Sequence, residues 1–334
     1  MKHFHEYLLY GIEYKARTGL SPLKHRWQKG AYPYCGRKSQ EAEKASGLWK
    51  SLLEKGEPFS VARFGFFELS ALRNFYFQRE KTYPSLLESL RKSAGVFPPT
   101  LETGNRFVRL MGDSLGKADY LVCSGEPYEN LMAARFSKKE LVWVPGLEAL
   151  TPWALEIPWS SGLSGKKVLV VNPFAETVKK QYEKRRELFK GTEILPDFKL
   201  SVYPSLLTIG EYRDSRFPDF FSALDYQFEE IRKRDFEVAL LGCGAYGFPL
   251  AVRIKEELGK TAIHMGGVLQ LLFGILGARW DGSRFPGQGP LPEIVPFVNE
   301  HWTYPSPEET PEAAAGVEYG PYWNPALINK YEKQ

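Results

Sequence analysis

The sequence predicts an α/β protein built on a Rossmann-like, mostly parallel, doubly wound sheet. Short apolar runs recur from residue 58 onward: "FSVARF", "DYLVC", "ELVWV", "KKVLVV", "KLSVY", "FEVALL" and "KTAIHM". Longer amphipathic stretches lie between them, among them "SLLESLRKSAG", "FAETVKKQYEKRRELF", "FFSALDYQFEEIRKR" and "FPLAVRIKEELG". Strand alternating with helix means crossover connections and a parallel sheet covered on both faces. Within the runs, "VLVV" and "VALL" are apolar without alternation, as strands buried on both faces are.

Taken in order, residues 1–57 read as an N-terminal helical segment. Its segment "EAEKASGLWKSLLEKG" spaces Ala45, Leu48, Leu52 and Leu53 at helical intervals and ends in a glycine stop. Residues 58–280 form the Rossmann-like core. Residues 281–334 are rich in proline, glycine and aromatics, with little aliphatic content to support regular structure. Trp302, Tyr304, Tyr319, Tyr322 and Trp323 are too many rings for a disordered tail, so this segment is expected to wrap the core irregularly.

The chain of 334 residues is 43% hydrophobic and 25% charged, the balance of a soluble globular protein. A net charge of +4 suits an anionic small ligand and lacks the basic stripe of a nucleic-acid binder. Cys35, Cys123 and Cys243 are too few and too scattered for a disulfide framework or a zinc site. Cys123 and Cys243 end apolar runs and read as buried free thiols. The start "MKHFHEYLLYGIEYKAR" is too polar for a secretory signal, and no apolar run reaches the ~18 residues of a membrane span. A cytoplasmic protein without a transmembrane segment is expected.

In an open parallel sheet, ligands bind beyond the carboxyl ends of the strands. Small and polar residues collect there: Arg63, Gly65 and Glu68 after the first run, then Ser124, Gly125 and Glu126. Asn172 and Glu176 follow "KKVLVV", while His264, Gly266, Gly267 and Gln270 follow "KTAI". Turn chemistry accounts for most of the glycines but less well for Arg63 and His264. His264 is a candidate phosphate contact or acid–base group, with a buried, carbonyl-bonded histidine as the plain alternative. "GCGAYG" (Gly242, Gly244, Gly247) matches the G-x-G-x-x-G pattern of dinucleotide sites. It lies late in the chain, and the next strand has no acid at its end to hold a ribose. A tight-packing turn and a phosphate cradle remain the two readings. Glu68 also has two. If Gly65 caps a helix, Glu68 at its third position can fold back on the cap; equally, its carboxylate can face a ligand.

The run Arg63-Phe64-Gly65-Phe66-Phe67-Glu68 resembles the Arg-Phe-Gly-Asp-Gly-Glu motif of GT-D-type glycosyltransferases, with Phe66 where the family has aspartate. The later "FEVALLGCGAYGFPLAVRIKEELGKTAIHMGG" resembles that family's late strand–turn–helix–strand unit. The resemblance spans roughly residues 58–280. It implies a GT-D-like fold and transfer of a sugar from a nucleotide-sugar donor to a saccharide or glycoconjugate acceptor, in surface-polysaccharide or glycoprotein biosynthesis. It also implies Mn²⁺ or Mg²⁺ held by Glu68, although loss of the aspartate weakens such a site. On this reading Glu68, Arg63 and His264 are the catalytic set. Gly65, Asn172, Glu176, Gly242, Gly244, Gly247, Gly266 and Gln270 line the donor site. Glu176 is a second candidate base; Trp302 and Trp323 are read first as core-packing rings and second as candidate sugar-stacking ones. An NAD(P)-dependent oxidoreductase using the glycine turn and a non-catalytic nucleotide- or sugar-binding protein are the alternatives.

Overall fold

The computed structural model describes residues 39–331 apart from 127, 138–140, 211–213, 284–288 and 318–319, together with His5 and Leu8. The helical reading of the remaining N-terminal residues, and Cys35 and Tyr319, lie outside the described residues. All seven apolar runs are strands: β1 (Ser60–Arg63), β2 (Tyr120–Cys123), β3 (Val142–Pro145), β4 (Lys167–Asn172), β5 (Lys199–Pro204), β6 (Val238–Leu241) and β7 (Thr261–His264). They form one sheet in the order β3-β2-β1-β7-β6-β4-β5, and every pairing is parallel. Val168–Val171 of β4 are fully buried. Val168 and Val170 point into one core, and Leu169 and Val171 into the other. Burial on both faces is why these strands lack a polar alternation.

The helices are α1 (Ala42–Lys55), α2 (Phe66–Tyr76), α3 (Tyr83–Ser89), α4 (Leu101–Leu115), α5 (Glu129–Phe136), α6 (Ala175–Glu183), α7 (Arg185–Leu188), α8 (Phe220–Arg232), α9 (Gly247–Leu258), α10 (Leu269–Leu272) and α11 (Pro325–Tyr331). The first core receives apolar residues of α2, α4, α5, α8 and α9; the second receives those of α1, α6 and α10. Helix α1 ends as its glycine predicts: Gly56 takes φ 72° and its N–H returns to the carbonyls of Leu52 and Leu53.

Helix α4 is not among the expected helices, because Gly104 and Gly112 break its apolar pattern. Both glycines serve packing. A Cβ on Gly104 would lie 2.6 Å from Leu87, and one on Gly112 would lie 2.6 Å from Phe136. Their absence of side chain lets α4 approach its neighbours closely.

The connections leave the sheet to opposite sides at its centre. After β1 and β6 the chain passes to the first core's face, whereas after β4 and β7 it passes to the second. Helices diverging this way open a crevice over the carboxyl ends of β1, β7, β6 and β4. The C-terminal segment lies on the second side. Trp302 stacks edge-on against Phe189, and Trp323 against Phe174. At 8% and 1% exposure these indoles are packed inside, the core-packing use expected ahead of sugar stacking. Cys123 and Cys243 are buried free thiols, as expected. Among the described residues no helix is long and apolar enough to cross a membrane.

Candidate functional site

Arg63 ends β1 in register with Val122 of β2. Its Nε and Nη2 donate to the Phe64 carbonyl at 3.1 and 3.0 Å. Nη1 reaches the turn after β7, where a Cβ on Gly266 would lie 2.4 Å from it. Gly266 also has φ +67°, so both conformation and space require glycine there.

Gly65 caps α2, and Glu68 is the third residue of that helix. A Cβ on Gly65 would fall 2.1 Å from Glu68 Oε2, so the carboxylate lies folded over the cap. The φ of Gly65 is an ordinary −80°; the space taken by the carboxylate is what demands glycine. The two readings of Glu68 are therefore compatible. The fold-back holds a buried acid at the carboxyl edge of the sheet, one turn from Arg63.

His264 ends β7 and is 4% exposed. Its ring fills the space over Gly247, where a Cβ would lie 2.3 Å from Nε2. Nδ1 has no hydrogen-bond partner. Burial pushes the imidazole down to about 3, the Arg63 charge adds to this, and the Arg63 main chain opposes it slightly. His264 is thus neutral at physiological pH. This corrects its expected part as a cation facing phosphate; that charge is left to Arg63.

The glycine turn divides its labour. Gly242 is wedged, with a Cβ position 2.8 Å from Asn172 Nδ2 and 2.9 Å from the Gly266 carbonyl. Gly247 makes room for His264. Gly244, at φ 59°, has open space above it and is exposed. Two of the three glycines therefore pack protein against protein, and only Gly244 offers its backbone outward.

Several expected donor residues are already engaged. Asn172 Nδ2 donates to the Gly242 carbonyl at 3.3 Å, and its Oδ1 accepts from Phe174 N at 2.8 Å. Gln270 Nε2 lies 3.0–3.2 Å from the carbonyls of Ile275, Leu276 and Tyr322, pinning the C-terminal segment. Glu176 turns outward to Lys179 at 2.6 Å, which removes it as a base in the crevice. The N-terminus of α6 is closed by Glu309: its Oε1 accepts from Glu176 N at 2.8 Å, and its Oε2 from Thr177 N and Oγ1.

Glu129 was missed. Glu126 attracts attention by its place after β2, yet Glu129, heading α5, is the acid that turns inward, at 2% exposure. Its Oε2 accepts from Gly125 N at 3.0 Å and from Ser124 Oγ at 3.4 Å, while Oε1 has no partner. Burial pushes this carboxyl up to about 7, against the N–H groups of Ser124, Gly125 and Glu126 and the Arg63 charge, which pull it down. The available signal was an acid opening an apolar helix directly after a strand, the same pattern as Glu68. Because Arg63 acts on both Glu129 and His264, its strand β1 sits electrostatically, as in the sheet, between β2 and β7.

Among the described residues no group of three or more His, Cys, Asp or Glu could hold a metal ion. Phe66, 57% exposed, stands where a second carboxylate would be needed, so Glu68 alone does not make a resident metal site. A cavity of about 650 Å³ between α2, α3 and α4 contains none of the residues above; it is lined by Phe75, Tyr83, Leu87, Asn105 and Arg109 among others.

No protein-family model and no curated protein sequence matches the chain. A solved structure of "domain of unknown function 1792 (DUF1792)", in selenomethionine-substituted form, is similar over 74% of this chain and 82% of that one, at 11% identity and a TM-score of 0.35. So distant a likeness says nothing of activity. The strand order and register themselves define an α/β, Rossmann-like protein with its crevice at the central strands.

Proposed function

We propose that this protein is a glycosyltransferase taking a sugar from a nucleotide-sugar donor to a hydroxyl-bearing acceptor. The observation that carries the reading is Arg63, set at the centre of the crevice with Nη1 over the Gly266 turn, its charge acting on buried Glu129 and His264. Cleavage of the sugar–phosphate bond leaves negative charge on the departing diphosphate. A guanidinium can neutralise it through paired, charge-assisted hydrogen bonds, and the outward backbone of Gly244 adds a neutral donor. Glu68 is the acid of the Arg-Phe-Gly-x-x-Glu run and the group that would take the acceptor proton. A dinucleotide site is less well supported, since Gly242 and Gly247 are filled by Asn172 and His264.

A thermal-shift titration against UDP-, GDP- and CMP-sugars and NADH, with and without Mn²⁺ and then with EDTA, tests this. A ligand at about 100 times its Kd stabilises a protein by roughly 2.7 kcal/mol. A nucleotide-sugar shift, followed on adding acceptor by release of the nucleoside diphosphate (or of CMP from a CMP-sugar), supports the reading. A shift with NADH alone defeats it.

A further inference from the structure

We infer that Glu129 is a ligand-binding carboxylate, accepting a hydrogen bond from a hydroxyl of a phosphorylated, hydroxyl-rich ligand whose anionic part sits on Arg63. The inference rests on the nucleotide-sugar reading and assigns the hydroxyl-recognising edge of that site.

The argument is geometric. A buried carboxylate oxygen without a hydrogen-bond donor costs the free energy of its lost hydration, and native proteins seldom leave one without reason. Glu129 Oε1 is such an atom. The other oxygen is held by the Gly125 N–H and a long Ser124 hydroxyl contact, with the N–H groups of Ser124 and Glu126 also acting on the carboxyl. The residues that hold the carboxylate, Ser124 and Gly125, are themselves exposed, with open space where a Gly125 Cβ would be. Gly125 adopts φ +81°, so this is a glycine turn with no side chain of its own at that point. On this inference a ligand hydroxyl reaches the buried Oε1 only when the Ser124–Glu126 turn moves aside.

The position also fits. Glu129 follows β2, the neighbour of β1, and Arg63 is close enough for its charge to act on the carboxyl. In dinucleotide sites of this architecture, an acid beyond the strand next to the phosphate loop takes ribose hydroxyls. Here the phosphate-side group is an arginine at the end of β1 rather than a glycine loop, and the acid is one strand away. The pair suits a ligand that carries both a phosphate and a hydroxyl.

The test is isothermal titration of the full chain and of Arg63→Ala, Glu129→Gln and Glu129→Ala. The probes are inorganic pyrophosphate, glucose 1-phosphate and the UDP-, GDP- and CMP-sugars. Arg63→Ala should weaken every phosphorylated probe. Glu129→Ala should weaken the hydroxyl-bearing probe that binds by about tenfold, the worth of one hydrogen bond to a charged group, and leave pyrophosphate within about twofold. Glu129→Gln, which keeps an acceptor oxygen, should lose less than Glu129→Ala. Unchanged affinity in Glu129→Ala, equal loss for pyrophosphate and sugar nucleotide, or no binding of any hydroxyl-bearing probe overturns the inference. A purely structural Glu129 would change the affinity of all probes alike in Glu129→Ala and Glu129→Gln, through the fold. Transfer without Glu129 dependence sinks this inference and leaves the transferase reading standing. Glu129-dependent binding without transfer does the reverse.

Discussion

The two halves of the sheet's carboxyl edge are finished differently. Over β4, the C-terminal segment closes everything: Glu309 caps α6, Trp323 donates to the Glu309 carbonyl at 3.0 Å, and Asn172 ties β4 to β6. Beyond β5, Ser205 Oγ and Gln227 Nε2 are that side's buried atoms without partners. Over β2, β1 and β7 the opposite holds. Among the described residues, the carboxylate oxygen and the imidazole nitrogen that are buried without partners, Glu129 Oε1 and His264 Nδ1, both flank Arg63. The contrast teaches where to look. A region that satisfies its polar groups internally needs no ligand, whereas buried ionisable groups left unsatisfied around a cation mark where one completes the structure.

The sharpest way to break the comparison is Arg63→Ala. Removing the cation flanked by Glu129 and His264 should cost a nucleotide-sugar ligand about a hundredfold in affinity or turnover, the scale of losing a charge-stabilising donor. Calorimetric titration reads it directly. An equal loss from a variant on the strapped half would erase the distinction.

Next comes pH. Glu129 is held up at about 7 in the fold against an ordinary 4.5, so between those values the folded state binds more protons than the unfolded. Stability should therefore fall as pH rises through that window, by roughly 3 kcal/mol for this group alone. His264 is held down at about 3 against 6.5, so its contribution is complete above 6.5 and is lost as pH falls toward 3. The two trends oppose between 4.5 and 6.5 and flatten the wild-type curve. Glu129→Gln should unmask the histidine, giving a curve that climbs with pH up to 6.5. Urea melts across pH 4–8 would show it, and superimposable curves would refute the burial of Glu129.

On the closed half, Glu309→Ala should lower stability by about 1–2 kcal/mol through loss of the α6 cap, with no change in nucleotide-sugar affinity. Tighter binding in that variant would show that the strap competes for the site. The smallest effect is expected from Phe66→Asp. An anion at the first turn of α2, replacing an exposed ring, should stabilise by about 0.3–1 kcal/mol. It would also supply a second carboxylate near Glu68, so Mn²⁺ should raise the melting temperature of this variant more than that of the parent.

What was legible in the sequence follows from local patterns. Period and apolar runs marked all seven strands, the parallel class, the glycine end of α1 and the fold-back of Glu68, because each depends on neighbours a few residues away. Tertiary structure decided the rest. Glu126 and Glu129 are the same residue type a short way beyond β2, and it is the fold that turns Glu129 into the protein. His264 is an ordinary histidine until β7, Gly247 and Arg63 enclose it and suppress its charge. Asn172 and Gln270 look like donor ligands until the chain returns, from 70 and up to 52 residues away, to use their amides. Burial and partnership are properties of groups brought together by the fold, and no window of sequence contains both members.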